Sequence, residues 1–302
     1  MNLIKALESY QAVVEQNGFA AAARQLGVSR ALVNKQVQQL ERHLGTQLLK
    51  RSTRVVTPTE TGLAFYDRTR FLLAELDNTI ADISSMQGAV RGNLRVNVPM
   101  SFGIMYMGKM ISGFMEDYPD VHVELSLTDR FVDLIEEGFD VTLRIATLEH
   151  MTSVVSEPLG QTDLVLCASP RYLEQHPLRQ PENLKSARCL HYGFQQTGQR
   201  WVLNGPEGEV STRVNCVMWS NNGQVLKDVA INHQGVVLLP TFLVGGELQS
   251  GQLARVLPDY SASPLDIVAM YPRHRYLSDK VRVFVDYLKR QFGPRPIWSL
   301  VD

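Results

Sequence analysis

The sequence has few of the residues that cross-link small folds or bind metal ions. Only three cysteines occur in the 302 residues, at Cys167, Cys189 and Cys216. Their odd number, their wide spacing and the absence of a C-x-x-C pattern argue against a disulfide framework and a zinc site. We therefore expect buried free thiols, which pack like small apolar side chains, and no cofactor.

Long apolar runs and common enzyme motifs are also missing. No stretch approaches the roughly 20 apolar residues that a bilayer-spanning helix needs. Met1 leads into an amphipathic helical pattern and not into a basic segment with an apolar core. The chain lacks G-x-S-x-G, H-E-x-x-H, a Walker loop and a G-x-G-x-x-G after a strand, and its seven histidines show no ligand spacing. These absences predict a cytoplasmic protein that has no membrane partner and is not an enzyme.

The charge is unevenly distributed although its net value is close to zero. Residues 1–58 contain eight basic and three acidic side chains, whereas the remainder contains 22 basic and 28 acidic ones. A small basic module therefore precedes a larger acidic body. This asymmetry is expected of a protein that binds nucleic acid at one end, although a solvated surface would give the same count.

The basic module has the pattern of three short helices. Apolar residues recur at helical spacing over residues 3–16, and a second helix is predicted over residues 19–26. Gly27 allows the positive φ of a sharp turn, and Ser29 is a good N-cap for a third helix. Ala22 and Ala23 are small enough to let two helices cross closely. Together these features predict a helix-turn-helix.

The third helix and the segment after it supply the expected DNA contacts. Long polar side chains on the outer face of a recognition helix can read base edges or hold phosphates in the major groove. The segment 48–62 has the pattern of a short two-stranded wing, which would add phosphate or minor-groove contacts from Lys50 and its neighbours. The residues predicted to contact DNA are Ser29, Arg30, Ala31, Asn34, Lys35, Gln38, Arg51 and Arg54.

The run "FAAAARQLGVSRALVNKQVQQLERHLGTQLLKRSTRVVTPTETG" resembles the amino-terminal domain of LysR-type transcriptional regulators. The double alanine, the V-S turn, the L-E-x-x-L-G stretch, the R-x-x-R wing and the T-x-x-G helix start occur in the same order. The chain differs at Arg30, Ala31 and Asn34, where the family often has Gln-Pro and Ser. The resemblance supports a winged helix-turn-helix, but these differences leave the preferred DNA sequence unpredicted.

A long helix should follow, from Glu60 to about Gln87, with Thr59 as its N-cap and an end near Gly88. Residues at coiled-coil spacing form a predicted seam, namely Tyr66, Thr69, Leu73, Leu76, Ile80, Ile83 and Gln87. A helix of this length needs a partner, and a symmetric dimer would also present two recognition helices to DNA. In the resembled family this segment is the dimerising linker helix. Packing against the chain's own carboxy-terminal body is the alternative.

The carboxy-terminal body alternates strand and helix patterns, which implies α/β subdomains with mainly parallel sheets. Strands are predicted at residues 94–98, 121–127, 141–145, 164–167, 236–239 and 265–270, and helices at 103–118, 131–137, 224–232 and 278–291. The resemblance continues in "DLIEEGFDVTLRIA" and "HQGVVLLP", and it implies a two-lobed α/β domain similar to type 2 periplasmic binding proteins. The predicted divisions are a DNA-binding domain at 1–58, a linker helix and hinge at 59–92, and a regulatory domain at 93–302. Its first lobe would span about 93–162 and 266–295, and its second about 163–265.

Ligands of such folds bind beyond the carboxyl ends of strands, often at helix N-termini. Three stretches have that placement: "PMSFG", "LTDR" and "WSNNG". Arg144 could pair with a ligand carboxylate, which favours a small organic anion as effector. The residues predicted to bind the effector are Met100, Ser101, Phe102, Thr128, Arg144, Phe194, Ser220 and Asn221. Plain helix capping and, for Arg144, a structural ion pair are the alternatives.

The sequence therefore predicts a transcriptional regulator that binds double-stranded DNA and is controlled by a small molecule held between two lobes. It would act as a homodimer or homotetramer, with RNA polymerase as a further candidate partner. The alternative is a ligand-binding protein or enzyme that uses the two-lobed domain without regulatory DNA binding. A secreted solute-binding protein fits less well, because the chain begins with a basic helical module.

Overall fold

The structure is a computed structural model that describes residues 1–51, 56–85, 90–130, 132–146, 154–193, 200–273 and 277–293. The chain forms two compact units. The first, the helical unit, comprises Met1–Asn93 and Val132–Phe139, and the second, the α/β unit, comprises Leu94–Phe131 and Asp140–Asp302. No helix in the described part of the chain is long and apolar enough to cross a membrane.

The helical unit begins with the predicted helix-turn-helix. Its elements are α1 (Leu3–Glu15), α2 (Phe19–Gln25), α3 (Arg30–Leu44), the antiparallel strands β1 (Leu49–Arg51) and β2 (Val56–Pro58), and α4 (Glu60–Ser85). Gly27 has a φ of +66°, and the Ser29 hydroxyl accepts a hydrogen bond from the Leu32 N–H at 3.2 Å. Side chains at helical spacing close the core, including Ala6, Tyr10, Val13, Ala22, Val33, Val37 and Leu40, which are 0% exposed. Burying a large aliphatic side chain in this way contributes roughly 1.5–3 kcal/mol.

The first half of α4 packs differently from the predicted seam. Tyr66 packs against the core of the helical unit, and its hydroxyl donates a hydrogen bond to Glu15 at 3.1 Å. Thr69 is buried and bonds to the Phe65 carbonyl of its own helix. These two positions therefore face their own chain and not a partner helix. Among the α4 side chains that the structure describes, the large exposed apolar ones are Leu63, Leu72 and Ile80. Gln87 and Gly88 lie outside the described residues.

The α/β unit contains two five-stranded sheets. The first sheet consists of β3 (Gly92–Val98), β4 (Val121–Leu127), β5 (Val141–Ala146), β6 (Val154–Thr162) and β14 (Leu265–Pro272), in the spatial order β4-β3-β5-β14-β6. The second consists of β7 (Leu164–Ala168), β8 (Arg188–Tyr192), β11 (Asn215–Ser220), β12 (Val236–Pro240) and β13 (Ala254–Arg255), in the order β11-β8-β12-β7-β13. A two-stranded ribbon, β9 (Arg200–Gly205) and β10 (Gly208–Arg213), completes the strands of the described residues.

The prediction of mainly parallel sheets was wrong, because both sheets are mixed. β3 pairs with β5 in parallel, but β14 is antiparallel to both β5 and β6. In the second sheet β8 is parallel to β11 and β12, whereas β7 is antiparallel to β12 and β13. A parallel pair needs a long crossover connection. The chain instead leaves the first sheet directly from β6 into β7 and returns through the short segment between β13 and β14.

The helices of the α/β unit differ from the predicted ones mainly at their beginnings. The predicted helix 103–118 begins earlier, as α5 (Met100–Phe102), a π-helical turn (Gly103–Met107) and α6 (Gly108–Asp117). The predicted helix 131–137 shortens to α7 (Leu134–Glu137), and residue 131 is not described. The remaining helical segments are α8 (Pro170–Gln175), a 3₁₀ turn (Pro181–Lys185), α9 (Gly223–Ile231), α10 (Thr241–Gln249) and α11 (Asp279–Phe292).

The three cysteines are free thiols. Cys167 and Cys189 are buried, and Cys216 is partly exposed. Burial raises the pKa of Cys167 and of Cys189 to about 12. Because the thiolate is the reactive form of cysteine, both buried thiols are unreactive at neutral pH.

Candidate functional site

Helix α3 places the predicted base-reading side chains on one outward face. Arg30, Ala31, Lys35 and Gln38 are exposed, and Asn34 is half-buried. The opposite face holds Val33, Val37 and Leu40, which are fully buried. The separation follows from the helical period, since positions three and four apart share a face. The exposed face is therefore continuous, polar and basic.

Two hydrogen-bonded contacts hold α3 in place within the helical unit. The Ser9 hydroxyl of α1 donates to the Gln36 side-chain oxygen at 2.6 Å. At the other end of α3, the Glu41 carboxylate oxygen Oε1 accepts the backbone N–H groups of Leu48 and Leu49, at 3.0 and 3.1 Å. Glu41 thus ties the first strand of the wing to the recognition helix.

The wing itself is described only in part. β1 and β2 pair in the register Lys50↔Thr57, and Lys50 is exposed on this ribbon. Of the predicted wing contacts, Arg54 lies outside the described residues. Arg51 is described in its backbone as the last residue of β1. Lys50 is therefore the basic side chain of the wing that the structure locates.

A tight contact joins the wing to the start of α4. The Thr59 hydroxyl caps α4 by accepting the Gly62 N–H at 2.9 Å, as predicted, and it also donates to the Gln47 carbonyl at 2.9 Å. The buried Tyr10 hydroxyl donates to the Gly62 carbonyl at 2.7 Å. A side-chain Cβ at Gly62 would overlap the Leu48 carbonyl oxygen, so glycine is required by this close approach.

The second candidate site is a cavity of about 450 Å³ within the α/β unit. Its walls come from both five-stranded sheets, mostly from residues at or just after the carboxyl ends of β3, β4, β5, β8 and β12. This is the edge at which α/β folds bind ligands. The volume lies within the range of small-molecule sites, roughly 300–1,000 Å³.

The cavity brings together three of the eight predicted effector contacts. Ser101 and Phe102 line it from the first turn after β3, and Arg144 lines it from β5. Phe194 lies outside the described residues. The other four predicted residues, Met100, Thr128, Ser220 and Asn221, are absent from the described lining.

The four residues that do not line the cavity have other roles in the structure. The Met100 N–H donates to Asp129 at 3.0 Å, and its sulfur accepts the Asn222 side-chain amide at 3.3 Å. The Thr128 hydroxyl accepts the Arg130 N–H at 3.4 Å. Ser220 accepts the Asn222 N–H at 3.1 Å, and Asn221 is exposed. Asn222 is the residue that caps α9.

The polar end of the cavity is built around Asp129 and Arg144. Burial raises the pKa of the Asp129 carboxyl, and this rise is opposed by the Met100 N–H and by the nearby Arg144 guanidinium. Arg144 Nη1 donates to the Arg130 carbonyl at 2.9 Å. A half-buried carboxylate and a guanidinium, each with a hydrogen bond to the backbone, therefore lie at the same end of the site.

Aromatic side chains and a histidine wall the cavity on the side of the second sheet. The Trp201 indole N–H donates to His191 Nδ1 at 3.2 Å, and burial lowers the pKa of His191. Burial also raises the pKa of the Tyr192 hydroxyl to about 12. Burial disfavours the charged form of each side chain. His191 and Tyr192 are therefore both neutral at pH 7.

The sequence analysis missed several of these lining residues. Asp129 directly follows the predicted Thr128, so the strand end was found but the wrong side chain was chosen. His191 and Tyr192 lie at the end of β8, and Trp201 lies in β9. Neither strand was predicted, so the sequence analysis could not place these side chains at the cavity.

Phe102, Tyr106 and Phe242 pack beside the cavity. The Phe102 and Phe242 rings meet edge to face with their centroids 5.4 Å apart. The Tyr106 hydroxyl, from the π-helical turn, donates to the Phe242 carbonyl at 2.7 Å. These contacts link the helix after β3 to α10, whose N-terminal residues also line the cavity.

Comparison with known proteins identifies the family of both parts of the chain. A family model described as the bacterial regulatory helix-turn-helix protein, lysR family, matches residues 4–63, and one described as the LysR substrate binding domain matches residues 87–293. The transcriptional regulator PtxR of Pseudomonas aeruginosa is 32% identical, with 96% of this chain and 93% of that protein covered. The transcriptional activator TtdR of Escherichia coli is also 32% identical, with 95% and 92% covered.

Solved structures give the same result. The full-length virulence activator AphB of Vibrio cholerae is 28% identical and superposes with a TM-score of 0.62, covering 95% of this chain and 98% of that one. CrgA of Neisseria meningitidis is 26% identical, with a TM-score of 0.62 and coverage of 95% and 98%. The chain therefore belongs to the LysR family of transcriptional regulators, which combine a helix-turn-helix domain with an effector-binding domain.

Proposed function

We propose that the exposed face of α3 reads operator DNA and that a small molecule in the cavity of the α/β unit controls this binding. The observation that carries the proposal is the outward polar face of α3, with Arg30, Lys35 and Gln38 exposed above a fully buried apolar face. A helix of this kind enters the major groove with its side chains toward base edges. The proposed domain limits remain 1–58, 59–92 and 93–302.

Within the DNA-binding surface the residues divide by chemistry. Arg30, Asn34 and Gln38 carry the donors and acceptors that pair with base edges. Ser29, Lys35, Lys50, Arg51 and Arg54 fit phosphate contacts, which position the protein without reading sequence. Ala31 is small enough to let the helix approach the bases closely.

We propose that the active species is a homodimer or a homotetramer in the cytoplasm. Leu63, Leu72 and Ile80 leave apolar surface exposed along α4. A two-fold dimer would cover such a surface and place two recognition helices about one DNA turn apart, roughly 34 Å. Regulation would then follow from the ligand, because a small molecule shifts a conformational equilibrium only if it binds one state more tightly. The changed state would alter how RNA polymerase is recruited.

The experiment that tests this function is a mobility-shift titration with DNA from upstream of the gene and its divergent neighbour, at two salt concentrations. We expect a specific complex that weakens as salt rises, since phosphate contacts release counterions. Arg171→Ala is the matched control for Arg30→Ala, because Arg171 is an exposed basic residue of the α/β unit. A complex that competitor DNA removes completely, at every fragment tested, would contradict regulatory binding and favour a ligand-binding protein.

A further inference from the structure

We propose that the cavity selects an uncharged, mainly apolar or aromatic small molecule with one hydrogen-bonding end, and that Asp129 determines this selection. The inference rests on the proposed function, because it assigns a chemical class to the ligand of that cavity. It replaces the organic anion that Arg144 alone suggested.

The charges of the cavity walls are balanced. Among the described residues that line it, Arg144 is the one arginine or lysine and Asp129 is the one carboxylic acid. They lie close enough for Arg144 to stabilise the ionised Asp129 carboxylate. One positive and one negative charge at the same end leave no net charge for a ligand to neutralise.

Both charged groups are also held by backbone contacts. Arg144 donates to the Arg130 carbonyl at 2.9 Å, and Asp129 accepts the Met100 N–H at 3.0 Å. Each side chain is therefore held in place by a backbone partner. A carboxylate that approached Arg144 would meet the Asp129 carboxylate at the same end of the cavity. Two carboxylates in one buried site repel each other strongly.

The remaining polar groups of the walls are neutral. His191 accepts the Trp201 indole N–H, and Tyr192 and Ser101 contribute hydroxyl groups. Hydroxyls can donate to or accept from an amide, a hydroxyl or a carbonyl group. They satisfy a neutral polar group but do not offset the cost of burying an unpaired charge.

The rest of the cavity is apolar. Its walls include Leu164, Leu238, Leu239, Phe242, Leu243 and Leu265. A ligand gains affinity here by burying apolar surface, and planar rings can pack on the aromatic side chains. A small dicarboxylate is strongly hydrated in water. It would lose these water contacts on entering the cavity, and the apolar walls would not replace them.

The test compares matched neutral and anionic probes by isothermal titration calorimetry on the full chain. The pairs are benzamide with benzoate and phenylacetamide with phenylacetate, which are close in size and shape and differ in the charge and in the N–H donors of the polar end. We expect each amide to bind at least about tenfold more tightly than its carboxylate, a difference of about 1.4 kcal/mol. In Asp129→Asn the preference should reverse, because Arg144 would then be uncompensated.

The asparagine variant is nearly isosteric, and its side-chain oxygen can still accept the Met100 N–H. Asp259→Asn serves as the control, because Asp259 is exposed and lies outside the cavity walls. It should leave the amide preference unchanged. Ser101→Trp should block the cavity and abolish binding of all four probes, and thermal unfolding of each variant confirms that it is folded.

The outcomes separate this inference from the proposed function. Tighter binding of the carboxylates to the unmodified chain, blocked by Ser101→Trp, would overturn the inference and leave an effector cavity in place. If the probes bind Ser101→Trp as tightly as the unmodified chain, they bind outside the cavity, and the inference is overturned. Absence of binding by all four probes at millimolar concentration would also overturn it. The mobility shift tests the regulatory function without any probe.

Discussion

The proposed DNA-binding surface and the cavity would recognise their ligands by opposite means. The face of α3 is exposed, polar and carried by one helix of 15 residues. The cavity is a largely apolar cleft assembled from segments between Pro99 and Leu265. DNA binding therefore depends on exposed charges that salt screens. Ligand binding depends on desolvation and on how the buried polar groups are balanced.

This difference also applies to how each site is supported. α3 is held by the core of the helical unit, by one hydrogen bond from Ser9 and by two that Glu41 accepts from the backbone N–H groups of Leu48 and Leu49. The cavity walls are themselves parts of two sheets, so that their positions depend on the fold of the whole α/β unit. A substitution beneath α3 should consequently weaken DNA binding and leave ligand binding in the cavity unchanged. The following predictions test the two sites in order of decreasing effect.

The largest effect is expected for Gly62→Ala. The new Cβ would overlap the Leu48 carbonyl and crowd the Tyr10 hydroxyl, so α1, the wing and α4 could not keep their contacts. We expect a loss of about 3 kcal/mol or more in the stability of the helical unit and loss of the DNA complex. Far-UV circular dichroism during urea unfolding and the mobility shift measure the two effects.

Tryptophan fluorescence shows whether the α/β unit is spared, because all three tryptophans follow residue 200 in the sequence. Gly108→Ala is the matched control: no atom lies within 4 Å of its added Cβ, and alanine is the better helix former by roughly 0.5–1 kcal/mol. Unfolding of both units by Gly62→Ala would mean that they are not independent.

A smaller loss is expected for Glu41→Ala. The substitution leaves the Leu48 and Leu49 N–H groups without their carboxylate acceptor, at about 1–3 kcal/mol for an unsatisfied buried group. The wing would lose its attachment to α3, and affinity for DNA would fall. Glu41→Gln retains an acceptor oxygen and should recover most of the stability measured by urea unfolding. Equal losses for both variants would instead assign the effect to the charge.

Arg30→Ala should change the specificity of DNA binding. If Arg30 reads a guanine edge, its loss should cost about 1–3 kcal/mol at particular base pairs and relax discrimination there. Binding to a set of operators with single substitutions measures the pattern. A uniform loss across all of them would reassign Arg30 to phosphate positioning.

The smallest effect is expected for Arg54→Ala. A wing arginine on a phosphate should weaken all sites similarly, and its removal should reduce the slope of log K against log salt by about one unit. Titrations over a series of salt concentrations give this slope. An unchanged slope would exclude Arg54 from the phosphate contacts and leave Lys50 as the basic residue of the wing to test next.

The helical unit was largely predictable because its information is local. The ends of α1 and α2 and the beginning of α3 lie within one residue of their predicted positions, since apolar spacing, Gly27 and Ser29 mark them within a few residues. The α4 seam was only partly predictable. Tyr66 has the right spacing for a partner helix, but its contact with Glu15 of α1 is a tertiary one, which periodicity does not contain.

The cavity was less predictable because its walls meet only through the sheet order. β8 and β11 were missed, and β11 is an edge strand whose residues are partly exposed. The choice between Thr128 and Asp129 depends on which of two neighbouring side chains faces the cavity. Residue composition alone does not decide that.

The contacts of Gly62 and Glu41 make α3, the wing and the first turns of α4 a single mechanical piece. α4 has 26 residues and is therefore roughly 39 Å long at about 1.5 Å per residue. A displacement of about 3 Å at its far end corresponds to a tilt of roughly 5° at its base over that length. If these contacts keep α3, the wing and the base of α4 together, α3 tilts by the same angle, and a small movement at the far end of α4 changes the orientation of α3.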